Sequence, residues 1–262
     1  RIVFIADEDL QGFWQSIDFD GSNSANNKMI YTEVKGGGKS TNIAYGAINL
    51  INNSRLIMQD SKVIKSGQNG LATPLNNTVN ATLPDFKRNY FSQCNQNPIR
   101  LHFLDHAQFM DETTVFDTDN TFNRIYIDGN NALENPIEIN KVNGFYYLDK
   151  TVNISTDLVI KAGVNMWMGP GVGLNAGHLA STGTLKLAGT TNEPILLTGY
   201  EEVPGYWNGL RYRGSNSNNN LIEYATISYA GAGNDQAAIS IGMINAMSSS
   251  VSMGNSSINY SA

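Results

Sequence analysis

The chain has 262 residues, a formal net charge of −6, 15% charged residues and one cysteine. A weakly acidic chain without a basic stripe argues against nucleic acid, and a single cysteine excludes an internal disulfide. About one residue in eight is Asn and 25 are Gly, against 41% hydrophobic and 10% aromatic, a balance that favours short strands joined by tight turns over disorder.

Residues 1–65 read as strands at close intervals. Apolar alternation runs over Ile2 to Ile5, Ile17 to Phe19, Met29 to Val34, Ala47 to Ile51, Arg55 to Met58 and Lys62 to Ile64. Turn clusters separate them at Gly36-Gly37-Gly38, Asn52-Asn53-Ser54 and Gly67-Gln68-Asn69-Gly70. Residues 66–88 carry Pro74, Asn76, Asn77, Asn80 and Pro84 and read as a loop excursion from one coil, with an interdomain linker as the other reading. Asp85-Phe86-Lys87-Arg88 has the makings of a short helix start. Strands resume at Ile99 to Phe103, Thr114 to Phe116, Arg124 to Ile127 and Pro136 to Ile139, and the rhythm is clearest from Phe145 onward. No helical period and no apolar run of about 18 residues occurs, so the pattern predicts an all-β chain without a transmembrane segment.

The chain repeats itself. Gly12-Phe13-Trp14 to Asn27 lies over Gly205-Tyr206-Trp207 to Asn220 at an offset of 193 (207 − 14 = 193). The match runs from Ile2-Val3-Phe4 on Ile195-Leu196-Leu197 to Val34 on Ile227. After a small slip, Ala47-Ile48 meets Ala238-Ile239, so residues 1–65 resemble 194–262. Apolar Ile17 and Phe19 match Leu210 and Tyr212, whereas Asp18 and Asp20 match Arg211 and Arg213. On a strand, alternate residues face opposite ways, so the first set is inward and the second outward.

The ordered string Leu158-Val159-Ile160-Lys161-Ala162-Gly163-Val164, Gly169-Pro170-Gly171-Val172, Gly183-Thr184-Leu185, Ala188-Gly189-Thr190, Pro194-Ile195-Leu196-Leu197-Thr198 and Trp207-Asn208-Gly209-Leu210 resembles the right-handed parallel β-helix repeat proteins that Gram-negative bacteria secrete or anchor at their surface. Asn89 to Asn95 followed by Pro98-Ile99 resembles that family's turn as well. The resemblance implies a right-handed parallel β-helix solenoid and an extracellular or outer-surface location. It covers most of the chain outside 66–88 and carries no specific activity. Residues 1–262 are expected to form one β-helix domain, with coils of about 20–25 residues and roughly eight coils per repeat. Ile2 aligns with a strand that follows a coil in the second copy, and the chain stops on Ser256 to Ala262 without a polar cap, so it is expected to be a fragment of a longer protein.

Asp18 and Asp20, about 6.5–7 Å apart on one strand face, have the spacing of an inverting glycosidase pair, but arginines stand at both positions of the other copy. Phe103-Leu104-Asp105-His106 resembles the W-I-D-H segment of pectate lyases, with Phe103 in place of Trp and without that family's arginine motif. If the chain is an enzyme, Asp105, His106, Asp111 and Asp117 are the residues to test; Asp105 and His106 otherwise read as an ordinary outer-face pair. Asp111, Glu112, Asp117, Asp119 and Asn120 form the densest acidic group. Asp117, Asp119 and Asn120 are its calcium candidates, with a solvated turn as the alternative. His102 and His106 would sit about 13 Å apart on a strand, too far for one ion, and Cys94 has no cysteine partner for a zinc site. Tyr146, Tyr147, Tyr200, Tyr206 and Tyr229 are candidates for stacking on sugar rings or for the core. These readings converge on a non-enzymatic extracellular or cell-surface β-helix module, stalk- or adhesin-like, with polysaccharide or another surface protein as partner and no cofactor. A β-helix polysaccharide lyase or glycoside hydrolase is the alternative.

Overall fold

The computed structural model describes residues 1–74, 81–129, 132–133, 135–177, 182–234, 236–243 and 247–262. Short runs of alternating apolar residues, punctuated by Gly, Asn and Ser, become strands, and every strand pairing among the described residues is parallel. The chain divides into two compact units, Arg1–Asp128 with Val142–Phe145, and Gly129–Lys141 with Tyr146–Ala262.

In the first unit Ile2–Ile5, Thr32–Lys35, Lys62–Ile64, Tyr90–Ser92 and Val115–Phe116 stack in that order. A second stack runs Ile17–Asp20, Gly46–Ile51, Asn69–Ala72, Ile99–Leu101 and Arg124–Ile127. A third pairs Lys28–Ile30 with Ile57–Gln59 and is continued by bridges from Arg55 to Thr82 and from Gln59 to Lys87. In the second unit three stacks recur. They are Phe145–Leu148 through Asn165–Met168, Ile195–Gly199 and Ala225–Ser228 to Ser257–Asn259; Ala132–Leu133 through Val152–Ile154, Gly173–Ala176 and Gly209–Arg213 to Ile239–Gly242; and Ile137–Ile139 through Asp157–Lys161, Thr184–Ala188 and Asn216–Glu223 to Ser250–Gly254. This is an all-β architecture of long parallel sheets, as in a parallel β solenoid. Among the described residues no helix is long and apolar enough to cross a membrane.

Like stacks on like in the interior. Val34, Val63 and Phe91 succeed one another in register, as do Ile48, Leu71, Ile99 and Ile125, and all are buried. In the second unit Met166, Leu197 and Ile227 do the same. Each such side chain contributes about 1.5–3 kcal/mol by leaving water. The alternate residues face out: Ile17 and Phe19 are half-buried between exposed Asp18 and Asp20, and Leu210 and Tyr212 are buried while Arg213 is exposed. Single left-handed residues turn the corners, at Tyr31, Asp60 and Arg88 in one unit and Tyr224 and Asn255 in the other, with φ between 45° and 53°. One left-handed residue redirects the chain at a cost of about 1–2 kcal/mol, which the ladders on either side outweigh.

Three expectations change. In the first unit Ile2 pairs with Thr32, Glu33 with Lys62 and Lys62 with Tyr90, so a turn there takes about 30 residues rather than 20–25, whereas the first turns of the second unit keep the shorter length, with Ile137 on Leu158 and Val152 on Leu174. Segment 66–88 is not a loop excursion over that whole span. Asn69–Ala72 is an interior strand, Leu83 and Phe86 are buried, and Thr82 and Lys87 bridge the preceding coil; only 75–80 falls outside the described residues. Its prolines sit where no ladder N–H is needed, which is compatible with coil. Asp85 adopts φ 56°, so 85–88 starts no helix.

The turn before each conserved Trp is built alike in the two units. Trp14 donates its indole N–H to the Lys35 carbonyl at 2.9 Å, and Trp207 donates to Ser228 at 2.7 Å. The Asn27 amide donates to Ser22 and Arg55; the Asn220 amide donates to Ser215 and Ser250. The segment that precedes Trp14 is a strap along the first unit's stack. The Ala6 amide bonds the Lys35 carbonyl, the Gly12 amide bonds that of Lys65, and the Gln11 side chain donates to the carbonyls of Ser66 and Gln93. Gly12 is obligatory there: at φ 63°, a Cβ would stand 2.8 Å from the Gly67 Cα.

Candidate functional site

Parallel stacking brings outward residues one turn apart into rows, so polar side chains meet the next coil rather than solvent alone. Asn49 donates to Asp18 at 2.7 Å and Asn52 to Asp20 at 2.6 Å. The Arg88 guanidinium grips both oxygens of Asp60 at 2.7 Å and holds that carboxyl below its usual range. Lys35 and Lys65 both reach Asp9 at 2.7 Å, and these two hydrogen bonds lower its pKa to about 2. The glycosidase-like pair Asp18 and Asp20 is thereby tied, carboxylate by carboxylate, to the adjacent strand.

The flagged acids are placed similarly. Asp117 accepts from the Tyr90 hydroxyl and the Thr118 amide, and the Tyr90 bond holds it below the carboxylate range. Asp119 accepts from Ser92 Oγ and the Gln93 amide, both at 3.0 Å. Asn120 takes the Cys94 amide and returns its own N–H groups to the Phe91 and Asp117 carbonyls. The three calcium candidates thus fasten one coil to the previous one. Among the described residues no three His, Cys, Asp or Glu side chains gather as a metal set. Asp111 closes its own exposed turn on Thr113.

Segment 102–109 departs from the strand expected of it. The strand ends at Leu101, and Leu104–Phe109 is a 3₁₀ helix. His106 is therefore not on an outer face with Asp105. It is buried, with Nδ1 3.2 Å from Thr73 Oγ1 and Phe103 edge-on to its ring. Asp105 lies in the first turn of that helix, its carbonyl accepting from Gln108.

The strongest charged cluster was not singled out from the sequence. Asp128 takes the Arg100 guanidinium on one oxygen and His102 Nδ1, 3.1 Å away, on the other. Arg100 also donates to the Ile43 carbonyl at 2.7 Å and lies over the Tyr126 ring, which Arg124 also approaches. Burial works to raise the Asp128 carboxyl, yet His102 and Arg100 together hold it below the usual carboxylate range. The available signal was register: Arg100 and Tyr126 are ladder partners, so Asp128 follows one turn after His102. The arrangement orients an imidazole and neutralises a half-buried acid.

In the second unit the five candidate tyrosines separate by face. Tyr146 points inward and donates to the Asn140 carbonyl. Tyr229 stacks on Tyr260 with centroids 5.3 Å apart. Tyr147 and Tyr200 meet beside Trp167, and the Tyr206 ring lies against Gly199. Tyr147 and Trp167 are ladder partners, Tyr200 stands edge-on to Tyr147 at 5.1 Å, and it lies 5.8 Å from the Trp167 ring. Glycines make the corner possible. A Cβ on Gly169 would meet the Tyr147 hydroxyl at 3.1 Å, and one on Gly199 the Tyr206 ring at 3.1 Å. The Tyr200 amide on the Met168 carbonyl and the Tyr206 amide on that of Tyr229 hold the loop at both ends. Burial, with Glu201 and Asp149, raises the Tyr206 phenol above its usual value. Compared with protein-family models, curated proteins and solved structures, the chain matches none of them.

Proposed function

We propose that the chain is a right-handed parallel β-helix module of the extracellular space or outer cell surface, a stalk- or adhesin-like surface rather than a catalyst. The right hand is the preferred crossover for parallel strands. Location and role rest on the resemblance of 158–210 to secreted and surface-anchored β-helix repeats. The observation that carries the non-catalytic reading is the fate of the polar outer residues. Asp9, Asp18, Asp20, Asp60, Asp117 and Asp119 are all spent on bonds to a neighbouring coil. A catalytic acid or base needs its proton site open to substrate. Incubating the purified chain with pectin, alginate and neutral polysaccharides, and assaying reducing ends and unsaturated products, tests this; turnover in any of them overturns it.

A carbohydrate-active enzyme is the second reading, favoured by one observation: Asp128, itself paired with Arg100, orients His102 through Nδ1, leaving Nε2 as the proton-transfer atom. If turnover is found, His102→Ala should abolish it, and a variant that retains full rate removes this reading.

A further inference from the structure

The corner before Trp207 differs from its counterpart before Trp14 in a way that points to a ligand. At the constant offset Asp7, Glu8, Asp9 and Phe13 correspond to Tyr200, Glu201, Glu202 and Tyr206. In the first unit Asp9 is neutralised by Lys35 and Lys65. In the second unit Ser228 stands at the position of Lys35 and accepts the Trp207 bond as Lys35 accepts that of Trp14, and by ladder register Tyr260, which follows the partner of Ser228 as Lys65 follows the partner of Lys35, stands for Lys65 and is left-handed like it. The acids are retained and their cations are gone. Glu201 and Glu202 are exposed, and neither side chain makes an ion pair or hydrogen bond among the described residues. Their fields are felt by the neighbouring phenols, Glu201 at Tyr206 and Glu202 at Tyr229. Asp149 adds a third carboxylate, paired with Lys150 at 3.2 Å.

The residue directly before these acids, Tyr200, belongs to the ring cluster. Trp167 is half-buried on the outward face of its strand, and Tyr200 is 39% exposed. The indole and the phenol stand 5.8 Å apart at 60°, which puts two π systems at one place. Such faces attract C–H groups of a pyranose ring and, more strongly, cations, while phenol hydroxyls and carboxylates supply partners for ring substituents. A uronate or sulfated sugar would meet like charge there. A sugar bearing a protonated amine meets both halves of the site.

We propose that Trp167, Tyr200 and Tyr206, with Glu201 and Glu202, bind glycans that carry free amino groups, such as β-1,4-linked glucosamine chains. The sugar ring stacks on the aromatic pair and its ammonium replaces the missing lysines. This deepens the reading of the chain as a binding surface and rests on it.

The test titrates the full chain with glucosamine oligomers, their fully N-acetylated counterparts and galacturonate oligomers, by calorimetry and tryptophan fluorescence. Glucosamine oligomers should bind, weakening as salt is raised. N-acetylation should weaken them by about tenfold or more, and galacturonate should not bind. Tyr200→Ala and the Glu201→Gln, Glu202→Gln double variant should each weaken binding by about tenfold, the double variant, on exposed residues, with its thermal midpoint unchanged. No binding, equal affinity for the acetylated oligomers, or undiminished affinity in both variants overturns the site and leaves the non-enzymatic reading standing. Binding that the variants lose, accompanied by shortened oligomers on mass analysis, upholds the site and overturns the non-enzymatic reading instead.

Discussion

Two corners are built on the same turn and do opposite things. Before Trp14, residues 6–12 lie down along the stack, with Asp9 closed on two lysines and Gln11 on two carbonyls. Before Trp207, the loop from Tyr200 to Gly205 is pinned at its ends and presents rings and unpaired carboxylates. The turn itself is nearly invariant, down to an indole N–H on a carbonyl one coil ahead and an asparagine amide shared by two coils. The frame is therefore specified by a few buried hydrogen bonds and alternate apolar residues, and the corner is free to be a staple or a binding surface.

The sharpest way to break the comparison is at the Trp itself. Trp207 is fully buried, so Trp207→Ala should cost about 3–5 kcal/mol in urea denaturation, whereas Trp14→Ala, at a half-buried ring, should cost clearly less. Equal costs would show that the two turns do not differ in burial. Next comes the asparagine: Asn220→Ala leaves the Ser215 and Ser250 carbonyls without their donor and should cost about 1–3 kcal/mol, with Asn27→Ala below it because its site is partly open.

The strap itself answers to acid. Asp9 has a folded pKa of about 2 against an ordinary 3.8, so it favours the strap above about pH 4 and releases it as pH falls toward 2. The protection factor of the Gly12 amide, bonded to Lys65, taken against the intrinsic exchange rate at each pH, should fall over that range, and Asp9→Asn should remove the dependence. The Tyr200 amide, bonded to Met168, is the internal control. An unchanged Gly12 protection factor would detach the strap from its ion pairs. The smallest effects belong to the outward charges: Asp20→Ala and Arg213→Ala, opposite in sign at matched positions, should each stay within about 0.5 kcal/mol.

What was legible in the sequence was local. A period of two and a repeated Trp turn place Ile17 and Leu210 inward without any knowledge of the tertiary fold. Turn length was less legible in the first unit, because corners such as Tyr31, Asp60 and Arg88 use residues that carry no turn signature, so its turns of about 30 residues passed for shorter ones. The prolines of 66–88 weighed toward a loop although Leu83 and Phe86 are anchored in the interior. The Arg100–Asp128–His102 cluster needed the coil register, which no local pattern contains. Among the tyrosines, Tyr146 and Tyr147 are adjacent yet face opposite ways, and only the strand phase tells them apart.

The strap has a consequence for how the first unit comes apart. Coils of a solenoid couple to nearest neighbours, so such a stack behaves as a one-dimensional lattice and frays from its ends one unit at a time. Segment 6–12 adds couplings beyond the nearest neighbour, since it starts from the first turn and is bonded to Lys35 on the second, Lys65 on the third and Gln93 on the fourth. Opening of any one of these four turns then loads bonds on the others, and they open together as a block whose steepness is set by a few side chains of the strap and not by the ladders that make up the bulk of the structure.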